Sequence, residues 1–133
     1  TKFAKTQLDS FTGFPLTKKR LLKASKWEFN DLKDKLVIEI GSGAGRFTEV
    51  LLKYGAIVYS FDLSNAVSAN YSNNMPHKNL TIFQGDIEDI PFEDNFFEDK
   101  VNYLLGITNE TNTKILDNKD ASQETIMKFA IST

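Results

Sequence analysis

The first sustained apolar run begins at Leu36, where mixed polar sequence gives way to L-V-I-E-I-G, short, rich in β-branched residues and closed by glycine. Such a run predicts a buried parallel strand. In A-G-R-F-T-E-V-L-L-K-Y-G, Phe47, Val50, Leu51 and Tyr54 fall at i, i+3, i+4 and i+7, and Gly55 stands where a left-handed helix cap belongs. That spacing predicts an amphipathic helix with a defined end. A-I-V-Y-S-F-D predicts a second buried strand closing on Asp62, after which Ser64 is placed to cap a short helix. Its apolar side carries Val67 and Tyr71 and is interrupted by Asn70. A polar loop through Asn73, Asn74 and Pro76 then leads into N-L-T-I-F-Q, a third strand ending at Gly85 and Asp86.

Beyond it, P-F-E-D-N-F-F-E-D reads as a surface loop with apolar anchors, and K-V-N-Y-L-L-G-I as a fourth strand. The tail from Thr108 is polar, and only E-T-I-M-K-F-A-I offers an apolar element, helix or strand. Ahead of the core, residues 1–35 predict a loop through Thr12 and Gly13, a helix from about Leu16 to Trp27, and a turn into the first strand. Strands alternating with helices indicate an α/β domain, a parallel sheet wrapped by helices in three layers. The 133 residues suit a single domain: an N-terminal lid and helix over 1–35, a core over 36–106 and a divergent tail over 107–133. No internal repeat or low-complexity stretch suggests a solenoid.

Composition narrows the chemistry. With 41% apolar and 26% charged residues the chain should fold rather than remain disordered. A formal net charge of −2 argues against a general nucleic-acid-binding role, which needs a basic surplus. There is no cysteine and His77 is the sole histidine, so neither a disulfide framework nor a metal site is expected. No apolar run approaches the roughly 20 residues that cross a bilayer, and the N-terminal T-K-F-A-K-T-Q lacks a secretory core. The cytoplasm is the default location.

Candidate chemistry gathers at three successive strand ends. The first is E-I-G-S-G-A-G, with Glu39 near the end of strand one and Gly41, Ser42, Gly43 and Gly45 in the turn into the helix. Glycines suit a tight turn where a ligand lies against bare backbone, with N–H groups at the helix start facing it. A structural tight turn explains the same residues. The spacing G-x-G-x-G departs from the G-x-G-x-x-G of dinucleotide sites, so a pyrophosphate fits poorly. The second is Asp62, about 20 residues beyond the first glycine, where a carboxylate can accept both hydroxyls of a ribose; a helix cap is the plainer reading. The third is G-D-I at 85–87, where Asp86 can accept from an adenine amino group while Ile87 packs on the base, or where the chain simply turns.

Residues 37–92, from V-I-E-I-G-S-G-A-G-R-F through D-L-S to Q-G-D-I-E-D-I-P-F, resemble the cofactor-binding core of class I S-adenosylmethionine-dependent methyltransferases of the "methyltransferase domain 11" kind. The resemblance implies a Rossmann-like sheet of order 3-2-1-4, incomplete relative to the seven-stranded methyltransferase fold, and S-adenosylmethionine as cofactor. Gly41, Ser42, Gly43 and Gly45 would approach its methionine part, with Glu39 ordering the turn or reaching the amino group through water. Asp62 would hold the ribose, Leu63 would flank adenine, and Asp86 with Ile87 would read its edge. Arg46 would contact the carboxylate or remain an exposed first-turn arginine. The N-terminal T-Q-L-D-S-F-T-G and K-K-R resemble a lid, with Asp9, Thr12 or Arg20 touching ligand or lying on a solvated face.

The function implied is methyl transfer to a small-molecule acceptor. The sequence nominates no catalytic base. F-E-D-K-V-N-Y-L-L-G-I-T departs from the family's usual entry to strand four and lacks the histidine often found after it. The rivals are a degenerate module that binds the cofactor without turnover and an NAD(P)-binding oxidoreductase domain. A four-strand remnant would expose strand four as an apolar edge, and pairing through 101–106 or 125–131 would then build a homo-oligomer.

Overall fold

A computed structural model describes residues 8–24, 29–85, 96–107 and 113–117. Two helices lead, α1 (Asp9–Thr12) and α2 (Leu16–Ala24), followed by a 3₁₀ turn at Phe29–Asp31. Then come β1 (Leu36–Ile40), α3 (Arg46–Lys53), β2 (Ile57–Asp62), α4 (Ala66–Asn74), β3 (Leu80–Gln84), α5 (Phe96–Asp99), β4 (Tyr103–Ile107) and β5 (Thr113–Asp117). The sheet runs β3-β2-β1-β4-β5. Its first four strands are parallel, in the expected order 3-2-1-4, and β5 is antiparallel to β4.

Strand alternation sorts the core. Val37 and Val58 face one side with Leu21, Leu32, Phe47, Val50, Leu51, Leu52 and Leu105. Ile38, Ile40 and Phe61 face the other with Leu104 and Val101, against the half-buried Phe83 and Phe96. On that second face Phe61 and Phe83 stack with ring centroids 4.6 Å apart. Both faces of β1 are therefore apolar except at Glu39, the point where the strand runs into the site.

The helix expected after strand one spans Arg46–Lys53 and buries Phe47, Val50 and Leu51. It ends in a Schellman arrangement: the Gly55 N–H donates to the Leu52 carbonyl and the Ala56 N–H to that of Leu51, with Gly55 at φ +84°. The second helix corrects the sequence reading in two ways. Asn73 and Asn74 belong to α4 rather than to a loop, and Asn70 is fully buried rather than a break in an apolar stripe. Ser64 accepts a hydrogen bond from the Ala66 N–H at 3.1 Å, although Asn65 is the residue at the cap position.

At the other edge the expectation of an open fourth strand fails. β5 pairs with β4 from Tyr103↔Asp117 to Ile107↔Thr113, which satisfies the backbone edge through which a dimer was expected to form. T-K-I-L-D lies within the tail that reads as polar, and five residues give too little alternation to register as a strand. Residues 125–131 lie outside the described residues. Among those described, no helix is long and apolar enough to cross a membrane.

Before the core, α1 ends at Gly13 with φ +77°, so the segment expected to loop through Thr12 is one helical turn. Asp9 accepts from the Thr17 and Lys18 N–H groups at 2.7 and 2.9 Å and so caps α2. Ser10 bonds the Glu49 carboxylate on α3 through both its N–H and its hydroxyl. These contacts fasten the N-terminal helices beside the first turn of α3.

Candidate functional site

The carboxyl ends of β1, β2 and β3 bring the glycine turn and Asp62 to one rim. Gly41, Gly43 and Gly45 have φ of +78°, +55° and +91°, a run of left-handed backbone that only glycine adopts freely. The turn is stitched to β2: the Gly41 N–H donates to the Phe61 carbonyl at 2.8 Å, as does that of Ser42 at 3.3 Å. Gly43 donates to Asp62 Oδ2 at 2.7 Å, and Gly45 to the Ser42 carbonyl at 3.0 Å. The fold uses the amides of Gly41, Ser42, Gly43 and Gly45 internally.

Asp62 is half-buried, and Oδ1 accepts from the Ser64 N–H at 2.8 Å while Oδ2 takes Gly43. Each carboxylate oxygen has two acceptor sites, so one on each remains for a ligand hydroxyl. A Cβ built on Gly43 meets nothing within 4 Å, which leaves open space over the bare backbone beside that carboxylate. Leu63 is 72% exposed, an apolar side chain raised from the same rim. Asp86 and Ile87, the expected adenine contacts, lie outside the described residues; Gly85 is placed by its N–H bond to the Asp62 carbonyl at 3.0 Å.

Glu39 sits beneath the turn and is fully buried. Its Oε1 accepts from the Thr48 hydroxyl and, at 2.6 Å, from the Ser60 hydroxyl, while Oε2 has no partner among the described residues. Ser42 is also buried, with its hydroxyl unpartnered in the same sense. Desolvation pushes the Glu39 carboxyl up to about 7; the hydroxyls of Ser60 and Thr48 oppose that rise and the negative charge of Asp62 adds to it. Because the folded protein holds this proton more tightly than a free glutamate does, stability from Glu39 is complete below about pH 4.5 and is lost as pH rises through about 7. Denaturation followed between pH 4 and 8 should show that slope in the wild type and a flatter profile in Glu39→Gln. Equal slopes would refute the protonated carboxyl.

Sequence reasoning missed the floor and wall of the turn. Thr48 and Ser60 bind Glu39, and Asn70, Asn73 and Asn74 of α4 reach the turn itself. The 70, 73, 74 spacing, one side of a helix, was the available signal. The Arg46 guanidinium lies 5.0 Å from the Phe47 ring centroid. His77 is half-buried and its Nδ1 accepts from the Asn79 N–H at 3.1 Å, a turn-forming role ahead of β3. Thr12 turns its hydroxyl to the Phe14 backbone, and the Arg20 side chain lies outside the described residues. No group of His, Asp and Glu suited to a metal occurs among the described residues.

A family described as "Methyltransferase domain" matches residues 38–103. The chain is 35% identical over 65 residues to a probable ribosomal RNA small subunit methyltransferase A from Methanospirillum hungatei, covering 46% of this chain and 25% of that protein. It is 32% identical over 81 residues to a probable cobalt-precorrin-6B C(15)-methyltransferase (decarboxylating) from Methanocaldococcus jannaschii, covering 59% of this chain and 44% of that protein. It thus spans less than half the length of either relative. Among solved structures it is similar to the Trypanosoma brucei PRMT1 enzyme-prozyme heterotetrameric complex with AdoHcy, at 25% identity and a TM-score of 0.48 over 60% of this chain and 27% of that one. The 38–103 match falls on the strands that build the rim, so this segment carries a methyltransferase domain of the S-adenosylmethionine-dependent kind.

Proposed function

We propose that residues 1–133 form one domain that binds S-adenosylmethionine across the carboxyl ends of β1, β2 and β3 and passes its methyl group to a small-molecule acceptor. The observation that carries this reading is the Asp62 carboxylate bonded to the Gly43 N–H beside open space over Gly43. A ribose fits a carboxylate with acceptor sites to spare, and an amino-acid tail fits bare backbone.

Charge separates this ligand from a dinucleotide. A pyrophosphate would meet amides already committed at Gly41, Ser42, Gly43 and Gly45, next to the negative Asp62. A sulfonium and an ammonium would meet the same carboxylate favourably.

When bound, the sulfonium supplies a methyl carbon activated for in-line displacement. This chain's residues have the tasks of alignment and exclusion of water. Asp62 holds the ribose end, the Gly41–Gly45 backbone bounds the amino-acid end, and Leu63 flanks the base. Ser42 and Glu39 underlie the turn, and Glu39 keeps its shape through Thr48 and Ser60. Asp86 and Ile87 are assigned to the adenine edge from their sequence position.

The relatives' names give ribosomal RNA for one and a cobalt-precorrin for the other. A net charge of −2 disfavours a nucleic-acid acceptor, which basic surfaces bind through its phosphates. Isothermal calorimetry of S-adenosylhomocysteine against NADH tests the cofactor. Binding of the first and none of the second is expected, and preference for NADH would end the proposal.

A further inference from the structure

The glycine turn has no side chain of its own stiff enough to hold it, and its shape decides what lies against it. The end of the turn that enters α3 is held from α4, and its Gly45 carbonyl also accepts the Glu49 N–H at 2.9 Å. The Asn73 Nδ2 donates to the Ala44 carbonyl at 2.9 Å, and the Asn74 Nδ2 donates to the Gly45 carbonyl at 3.1 Å. Asn74 also donates to Asn70 Oδ1 at 2.7 Å, and Asn70 passes a bond from its own Nδ2 to the Thr48 hydroxyl at 3.3 Å. Thr48 in turn donates to Glu39. Backbone carbonyls accept only, so the amide orientations at Asn73 and Asn74 are fixed by their partners.

Three features make this more than surface decoration. Asparagine is a poor residue for a helix interior, and α4 carries it at 70, 73 and 74 within nine residues. The buried residues of α4 are Val67 and Asn70, so the helix meets the turn through amides rather than an apolar stripe. Gly45 is packed so closely that a Cβ there would lie 2.1 Å from Asn70 Oδ1. The turn and α4 are shaped to each other.

We infer that Asn73 and Asn74, backed by Asn70, are positioning residues that fix the 44–45 segment of the turn by its carbonyls and so set the surface against which the cofactor's amino-acid tail lies. The inference rests on the cofactor reading above. It assigns the asparagines no contact with the ribose or base, which belong to Asp62 and Leu63.

That division gives the test. Asn73→Asp keeps the shape of the side chain and replaces a donor by an acceptor facing a carbonyl; Asn74→Asp does the same one residue on. Calorimetry on the intact chain would compare S-adenosylhomocysteine, which has the tail, with adenosine, which lacks it, alongside a thermal melt. Each variant is expected to weaken S-adenosylhomocysteine roughly tenfold, the scale of one lost hydrogen bond, while adenosine changes less than about twofold. Equal weakening of both ligands, an unchanged ratio, or loss of the cooperative melt in both variants would overturn the positioning role. Wild-type protein that binds neither ligand would overturn the cofactor reading itself.

Discussion

Asp62→Ala is expected to weaken S-adenosylhomocysteine binding by about 1–3 kcal/mol, the range for hydrogen bonds to a charged acceptor. Two losses combine in that figure. The ribose hydroxyls lose their acceptor, and the Gly43 N–H, held at 2.7 Å in the wild type, loses the partner that draws the turn toward β2. Adenosine should weaken too, because the ribose is common to both ligands. The pattern therefore differs from that of the α4 asparagines, whose removal is felt through the tail alone. Asp62→Asn should fall nearly as far: its single carbonyl oxygen can serve Gly43 or Ser64, and its amide nitrogen must then face the other N–H. Calorimetry on both variants decides the point. An unchanged dissociation constant in Asp62→Ala would remove the ribose assignment.

The parts of this site legible in the sequence are those written in short-range pattern. L-V-I-E-I-G announces a buried strand through continuous apolar residues, and the one acid within it marks the place where the strand meets polar structure. The glycines announce left-handed backbone, and all three adopt it. Asp62 is identifiable because it stands at the carboxyl end of a strand, the same sheet edge as the glycine turn, where ligands of doubly wound sheets bind. Even there the sequence conveyed position better than partners. Asp62 does more than cap its own following turn: it also binds the turn that precedes it by nineteen residues.

What escaped reading depends on contacts between segments. Asn70 breaks the apolar pattern of α4 because it faces Thr48 and Gly45 rather than the apolar core, and no local rule contains that neighbour. Asn73 and Asn74 look like loop residues because asparagine favours turns in isolation. Their bonds to Ala44 and Gly45 outweigh that preference. β5 escaped for a related reason: pairing with β4 stabilises five residues whose own alternation is too brief to announce them. Tertiary partners, not intrinsic propensity, settle all three.

Gly45→Ala should be the most destabilising substitution in the turn. At φ +91° an alanine is outside the ordinary left-handed well, a strain of about 1–3 kcal/mol. Its Cβ would also enter space held by Asn70 Oδ1 at 2.1 Å and Asn74 Nδ2 at 2.3 Å. Asn70 is buried against Thr48 and has little room to retreat, so overpacking adds about another 1–3 kcal/mol. Domains of this size hold about 5–15 kcal/mol in total, so the variant should show a large drop in its urea midpoint. Gly43→Ala supplies the contrast. Its φ of +55° strains an alanine by about 1–2 kcal/mol, but nothing lies within 4 Å of the added carbon, so stability should fall less than in Gly45→Ala. That methyl would instead fill the space assigned to the ligand, and S-adenosylhomocysteine binding should collapse in a protein that still folds. Urea titration and calorimetry on the two variants separate packing from recognition. If Gly43→Ala bound S-adenosylhomocysteine as the wild type does, the open space over Gly43 would not be the cofactor's.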